Sequence, residues 1–294
     1  MIKTILVIIP YRGIGDLLFH IPLLKGVYKK YQNKLIILTN KTNKAKNILK
    51  NEEYIKKIEY INFQRESLII NSFKLLKRIN FYNPDISILT AHSKRLQIPL
   101  LLSGSKSKIF FKKDLEKDLS KYVLKQSRTE LSDINFIKDY KLNYSNKRLS
   151  KKNIFISIDS HHDSNNWKQE YYIELIQKIL KRQLTNKIFI NFAPNKIDNF
   201  KKIKNKFKNI KKIFFTYSLD FSKLINIINN SDHIIGNESG PICIGAALNK
   251  KVLSIYYPKH TNKSSLTINK KVKFFNSDVI NYKVIISKIL NIIK

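Results

Sequence analysis

Short β-branched runs alternate with amphipathic stretches along the whole chain, and no other feature limits the fold so strongly. Neighbouring parallel strands need long crossovers, usually helical, so this alternation predicts parallel sheets wrapped by helices. Two series are legible. The first has predicted strands at Ile5 to Ile9, Lys34 to Leu38, Lys57 to Ile61, Asp85 to Leu89 and Lys108 to Phe111. The second has them at Ile154 to Ile158, Lys187 to Asn191, Lys211 to Phe215, His233 to Ile235 and Lys251 to Ile255. Its helices are predicted at Gln169 to Lys181, Asp198 to Lys206, Phe221 to Asn229 and Pro241 to Leu248. Val279 to Ile293 closes the chain as an amphipathic helix, because Ile285, Ile289, Ile292 and Ile293 recur at helical spacing.

Between the series, Leu115 to Ser150 holds a predicted helix over Thr129 to Tyr140 and then a polar stretch, Lys141 to Lys152, without apolar periodicity. That stretch reads as a linker, giving domains 1–150 and 151–294. A chain of 294 residues that is 43% hydrophobic can fill two cores. Two doubly wound α/β domains would set the carboxyl ends of both sheets around a central cleft, so ligand-binding residues are expected in loops that follow strands.

Composition narrows the setting. Cys243 is the single cysteine, which rules out an intramolecular disulfide and four-cysteine zinc sites and fits a reducing, cytoplasmic compartment. The apolar run Ile5 to Ile9 is too short for a signal peptide and reads as a buried first strand. No run approaches the roughly 18 apolar residues of a membrane-spanning helix. The formal charge of +35 is spread over nearly every segment beside abundant Ile and Asn, as AT-rich codons would dictate. Three readings stay open: solvated lysine faces, peripheral attraction to an anionic membrane surface or acidic acceptor, and, least supported because no nucleic-acid motif accompanies the charge, nucleic acid.

Chemistry concentrates after two strands. Tyr11-Arg12-Gly13-Ile14-Gly15-Asp16 follows the first and leads into the helical pattern Leu17 to Leu24. Gly13 and Gly15 allow a tight turn and close ligand approach. A dinucleotide fingerprint would need glycine at position 18, where Leu18 stands, so a nicotinamide cofactor is disfavoured. Asp16 is either a carboxylate stabilising the helix N-terminus or a catalytic base. His20, one turn on, reads as a packed polar residue.

After His233 to Ile235 comes Gly236-Asn237-Glu238-Ser239-Gly240-Pro241, then a helix rich in small residues. Ser239 and Gly240 hold cap positions, and Pro241 suits the first turn, where its missing N–H costs nothing. The free N–H groups of such a helix start can hold a diphosphate. A carboxylate repels phosphate, so a sugar or ribose hydroxyl is the better partner for Glu238. A capped helix packed on its sheet by small residues is the plain structural alternative.

Gly-x-Gly-Asp-Leu-Leu after the first strand, the run Ser231 to Pro241, and the strand Val252 to Ile255 leading to Tyr257-Pro258 together resemble glycosyltransferase family 9, the heptosyltransferases of lipopolysaccharide assembly. The resemblance spans both halves. It implies an α/β fold of GT-B type, two Rossmann-like domains with the acceptor on the N-terminal side and the nucleotide sugar on the C-terminal side, and an inverting transfer that needs no metal or cofactor. The family's proposed base falls on Asp16. Its donor-binding residues fall on Glu238, Ser239 and Gly240, and the loop Asp159 to Lys168 resembles the donor segment ending in basic-x-Trp-Pro, with Ser160 and His161 at donor-contacting positions.

Three positions depart from the pattern. Asn165 replaces the lysine that would neutralise the donor diphosphate, and Lys168 replaces the proline after Trp167 and can supply that charge from a shifted position. Cys243 replaces a histidine, which means altered donor contacts or a packed thiol. The resemblance thus carries sugar transfer but not heptose specificity. His161, His162 and Asp163 could be read as a metal site, but adjacent histidines diverge on extended backbone and no distant ligand set joins them.

The expected partners are a nucleotide diphosphate sugar and a glycan or glycolipid acceptor, without nucleic acid, and the expected place of the protein is the cytoplasm, with peripheral contact at the inner face of the inner membrane left open. Two alternatives remain from other classes: a non-catalytic nucleotide-sugar-binding protein of the same fold, and a basic nucleic-acid-binding protein.

Overall fold

The computed structural model describes residues 4–63, 68–132, 134, 136, 138–145, 152–160, 166–256 and 268–294. The chain forms two compact units, Met1–Leu142 and Asn143–Lys294.

In the first unit the elements run β1 (Ile5–Ile9), α1 (Ile14–Phe19), α2 (Ile21–Tyr31), β2 (Leu35–Thr39), α3 (Ala45–Ile48), β3 (Ile55–Tyr60), α4 (Leu68–Tyr82), β4 (Ile86–Leu89), α5 (Lys94–Leu101), β5 (Ser107–Phe110) and α6 (Leu119–Glu130). The strands pair in parallel in the order β3-β2-β1-β4-β5. β1 is buried along its whole length, as expected of a central strand covered on both faces, whereas the edge strand β3 turns lysines outward. Leu75 and Ile79 of α4 and Leu96 and Leu100 of α5 form one cluster with Leu6, Ile8, Ile36, Leu38 and Leu89 of the sheet.

The second unit runs β6 (Asn153–Ser157), α7 (Gln169–Lys181), β7 (Lys187–Phe192), α8 (Ile197–Phe207), β8 (Ile213–Tyr217), α9 (Phe221–Asn229), β9 (His233–Asn237), α10 (Gly240–Ala247), β10 (Lys251–Tyr256), β11 (Val272–Asn276) and α12 (Tyr282–Ile293). The six strands are parallel in the order β11-β10-β9-β6-β7-β8. Each sheet therefore reverses direction beside its own first strand, between β1 and β4 and between β6 and β9. Such reversal points open a crevice at the carboxyl ends of the strands.

Three expectations need correction. The helix predicted over Thr129 to Tyr140 lies earlier, at Leu119–Glu130, because the Asp118 carboxylate caps it by accepting the Ser120 and Lys121 N–H groups. The described apolar residues after it are buried without helix: Phe136 packs where a Cβ on Gly26 would come within 2.7 Å of its ring, and Tyr140 meets Phe19 edge-on. Leu142, read as linker, is buried too. The single helical pattern Leu17 to Leu24 is divided at His20, which ends α1 and begins α2 with Pro22 in its first turn. β11 was not predicted. Its mixed run Val-Lys-Phe-Phe-Asn becomes a strand by pairing with β10, Val252 opposite Val272.

Candidate functional site

At the reversal point of the first sheet, Gly13 caps α1 in extended conformation, and the Asp16 carboxylate turns back so that its Oδ2 accepts the Gly13 N–H at 3.0 Å. A Cβ on residue 13 would lie 2.6 Å from that oxygen, so glycine there leaves the space the carboxylate occupies. The loop is tied to the next strand's exit. Thr42 Oγ1 donates to the Arg12 carbonyl at 2.9 Å, and Asn43 Nδ2 donates to the Tyr11 carbonyl at 3.2 Å. Tyr11 reaches across the reversal point to donate its hydroxyl to the Thr90 carbonyl after β4.

Burial sets the electrostatics. Desolvation raises the Asp16 pKa from its ordinary value against the lowering effect of the Gly13 hydrogen bond. His20 is fully buried, and desolvation pushes its pKa down to about 4 despite the Asp16 carbonyl beside Nδ1 at 2.7 Å. The ring is therefore neutral at physiological pH, with Nδ1 donating to the Asp16 carbonyl, and it fixes the turn that carries Asp16. Desolvation, with Tyr122 and Asp16 nearby, raises the Tyr11 pKa, so Tyr11 stays a neutral donor.

At the reversal point of the second sheet, Gly236 runs so close to β6 that a Cβ would collide with the Ser157 carbonyl oxygen. The chain then turns at Glu238 into α10. Ser239 is the N-cap, Gly240 and Pro241 open the helix, and the Cys243 N–H to the Ser239 carbonyl, at 3.0 Å, starts the helical bonding. The N–H groups of Gly240 and Ile242 precede that bond and are oriented outward along the helix axis, with the positive end of the dipole behind them. Gly245 lets α10 approach β9, since a Cβ there would lie 2.9 Å from Ile234.

The Glu238 side chain is held from below. Ser254 Oγ donates to Oε2 at 2.8 Å, and Cys243 Sγ lies 3.7 Å from Oε1. The Ser239 hydroxyl is buried and has no hydrogen-bond partner among the described residues. An unmet buried hydroxyl costs roughly 1–3 kcal/mol, which a ligand oxygen would relieve.

The loop after β6 meets the same place. Ser160 is buried, and its N–H donates to Asn166 Oδ1 at 2.6 Å. Trp167 is buried against Tyr172, edge to face at 5.0 Å, and the exposed Lys168 starts α7 with its ammonium 5.9 Å from the centre of the Tyr171 ring. His161 and Asn165 lie outside the described residues, as do His162, Asp163, Tyr257 and Pro258. Of the predicted donor residues, then, Ser160, Lys168, Glu238, Ser239 and Gly240 belong to two loops at one reversal point. Asp16, Gly13 and Gly15 belong to the equivalent loop of the other unit.

Sequence reasoning misses the residue that joins these two loops. Asn237, wholly buried, donates Nδ2 to the Ile158 carbonyl and to Asn166 Oδ1 at 3.2 Å, while its Oδ1 accepts the Trp167 N–H at 2.9 Å. Asp159 does the same on the other side, accepting Ala193 N–H and Asn199 Nδ2 at 3.2 and 2.8 Å. The available signal was an amide ending an otherwise apolar buried strand, since such a group has to be satisfied by something. Ser254, in the middle of β10, carries the same signal. Among the described residues no group of three His, Cys, Asp or Glu side chains is placed to hold a metal ion.

The family model described as glycosyltransferase family 9 (heptosyltransferase) matches residues 107–284. Solved structures with similar folds include the E. coli ADP-heptose lipopolysaccharide heptosyltransferase II, at TM-score 0.76 and 12% identity over 99% of this chain and 98% of that one. E. coli heptosyltransferase WaaC with ADP matches at TM-score 0.76 and 12% identity over 99% and 100%. A putative UDP-N-acetylglucosamine 2-epimerase from Listeria monocytogenes also matches, at TM-score 0.61 and 12% identity over 99% and 88%. No curated protein matches by sequence. At these identities the structures show the fold, an α/β architecture of GT-B type with two Rossmann-like halves, and since that architecture serves more than one reaction, the family match is what speaks to chemistry.

Proposed function

Because this chain belongs to glycosyltransferase family 9, the heptosyltransferase family, and is a glycosyltransferase, we propose that it moves a sugar from a nucleotide diphosphate donor to a lipopolysaccharide or other surface glycan. Transfer inverts the anomeric carbon and uses no metal or cofactor. The first domain, 1–150, takes the acceptor and the second, 151–294, the donor. The protein works in the cytoplasm, at the inner face of the inner membrane. Among the described residues no helix is long and apolar enough to cross a membrane.

The observation that carries this reading is the Asp16 carboxylate, half-buried at a reversal point with its pKa raised by desolvation and with Oδ1 free of hydrogen bonds among the described residues. A base of raised pKa accepts a proton more readily than an ordinary carboxylate. The acceptor hydroxyl oxygen attacks the anomeric carbon as Asp16 takes its proton. The bond from that carbon to the diphosphate oxygen breaks, and the electron pair leaves with the diphosphate. The first-turn N–H groups of α10 and the Lys168 ammonium meet the charge that develops there. Glu238 accepts from a hydroxyl of the sugar or ribose, Ser239 supplies its unpaired hydroxyl, and Ser160 and His161 complete the donor contacts. The WaaC structure holds ADP, which supports a nucleotide diphosphate as the donor's leaving group.

Thermal-shift screening of ADP-, GDP- and UDP-sugars tests the donor class. A ligand at 100 times its dissociation constant stabilises by about 2.7 kcal/mol. Stabilisation by one nucleotide series, followed by NMR of the product showing inverted configuration, is the expected result. Product with retained configuration would sink the single-displacement mechanism.

A further inference from the structure

Helices α4 and α5 have a second apolar face that the core does not use. Their inward residues Leu75, Ile79, Leu96 and Leu100 are spent on the sheet. On the opposite side Ile70, Phe73 and Phe81 of α4 are 58, 67 and 68% exposed, and Ile98, Leu101 and the adjoining Leu102 are 56, 57 and 70% exposed. Phe73, Leu76, Ile98, Pro99 and Leu102 line one groove of about 400 Å³ between the helices. Contiguous exposed apolar surface of this kind marks an interaction site.

The charges around it identify the partner. From Leu68 to Lys106 the chain contains a single acid, Asp85, against Lys74, Lys77, Arg78, Lys94, Arg95 and Lys106. Asp85 is occupied by Lys106 and the Thr4 N–H, and Glu59 of β3 is occupied by Arg78 and Lys57. Ile70, Phe73, Lys74, Lys77 and Phe81 fall at intervals of three and four on α4, so aromatic, aliphatic and cationic side chains share one stripe. We propose that the outer face of α4 and α5 docks on an anionic lipid bilayer, its apolar side chains entering the headgroup boundary and its lysines lying among lipid phosphates. Lysine stems lie along apolar surface while their ammonium groups stay in the polar layer.

Other occupants fit worse. A second copy meeting this face through a two-fold axis would bring like charges together, with no acid among the described residues of α4 and α5 to pair them. Nucleic acid would use the cations but leave the groove unfilled. The proposal goes beyond the transfer chemistry and does not rest on it.

Flotation with phosphatidylglycerol-containing vesicles and with pure phosphatidylcholine vesicles, using the full chain, tests the surface. The Phe73→Ser, Ile98→Ser, Leu102→Ser triple variant keeps the +35 charge, and it should partition to the anionic vesicles roughly tenfold or more weakly than the unaltered protein. Equal binding by the two proteins overturns the proposal, because bulk charge would then account for it all. Leu102→Trp gives a second readout. Trp167 is the only native tryptophan and is buried, so a blue shift of the new emission on adding anionic vesicles reports insertion of this face. An unchanged spectrum overturns the proposal. So does a triple variant that turns a dimer into a monomer by sedimentation while leaving vesicle binding intact.

Discussion

The Asn237 amide oxygen accepts the Trp167 N–H at 2.9 Å, joining residues 70 positions apart at the carboxyl edge of the second sheet. With the Ile158 carbonyl and Asn166 on its amide nitrogen, this one side chain sets both described ends of the loop between β6 and α7 against the turn that carries Glu238.

Asn237→Ala should therefore destabilise the second unit and loosen the two loops proposed to hold the donor. Losing these buried hydrogen bonds is expected to cost about 2–4 kcal/mol, read as a lower midpoint in urea denaturation. Donor KM should rise as well. An unchanged midpoint would show that Asn237 does not clamp these loops.

Asp16→Asn keeps the shape of the side chain and removes the base. Turnover should fall by roughly 10²–10⁴-fold while nucleotide affinity, measured by titration, stays nearly constant. In the unaltered enzyme the acid limb of kcat/KM should be shifted upward from the ordinary aspartate value, because burial raises this pKa. Retained turnover in the variant would remove Asp16 from the role of base.

Gly13→Ala places a Cβ 2.6 Å from Asp16 Oδ2 and so pushes the carboxylate off the Gly13 N–H. Misplacing a catalytic group by this much should lower kcat by about 10–100-fold. Donor affinity should not change, since the loops proposed to hold the donor belong to the other unit. Equal losses in kcat and donor affinity would contradict the division of labour between the two glycine loops.

His20 makes stability depend on acid. Its folded pKa of about 4 lies below the unfolded value of 6.5, so between these values the unfolded chain binds the extra proton. The contribution is complete above pH 6.5 and is lost as the pH falls towards 4, by up to about 3 kcal/mol. The raised pKa of Asp16 opposes this in part. His20→Leu should flatten the stability profile between pH 6.5 and 4, measured by denaturant titration at each pH. An equally steep profile would assign the acid sensitivity elsewhere.

Much of the second half was legible residue by residue. Gln169–Lys181 and Phe221–Asn229 are helices over the predicted spans, because the 3.6-residue period and the caps that end a helix are local properties. The first half shows where locality fails. The described residues between Leu131 and Leu142 include many apolar ones but form no helix, since Phe136 and Tyr140 fill space left by α1 and α2 rather than a stripe of their own.

By itself the sequence determined the alternation of strands and helices, the glycine turn at Gly13, and the start of α10 at Ser239-Gly240-Pro241, because each follows from backbone sterics within a few residues. It determined the family through motifs of that same local kind. Only the tertiary structure decided the strand order that puts both glycine motifs at reversal points, the approach of Ser157 that requires glycine at 236, the pairing that makes Val272–Asn276 a strand, and the clamp of Asn237 on Trp167. It also decided which face of α4 and α5 stays uncovered. Such relations depend on which segments become neighbours, and neighbours some 70 residues apart are chosen by the packing of the whole sheet rather than by any stretch of chain.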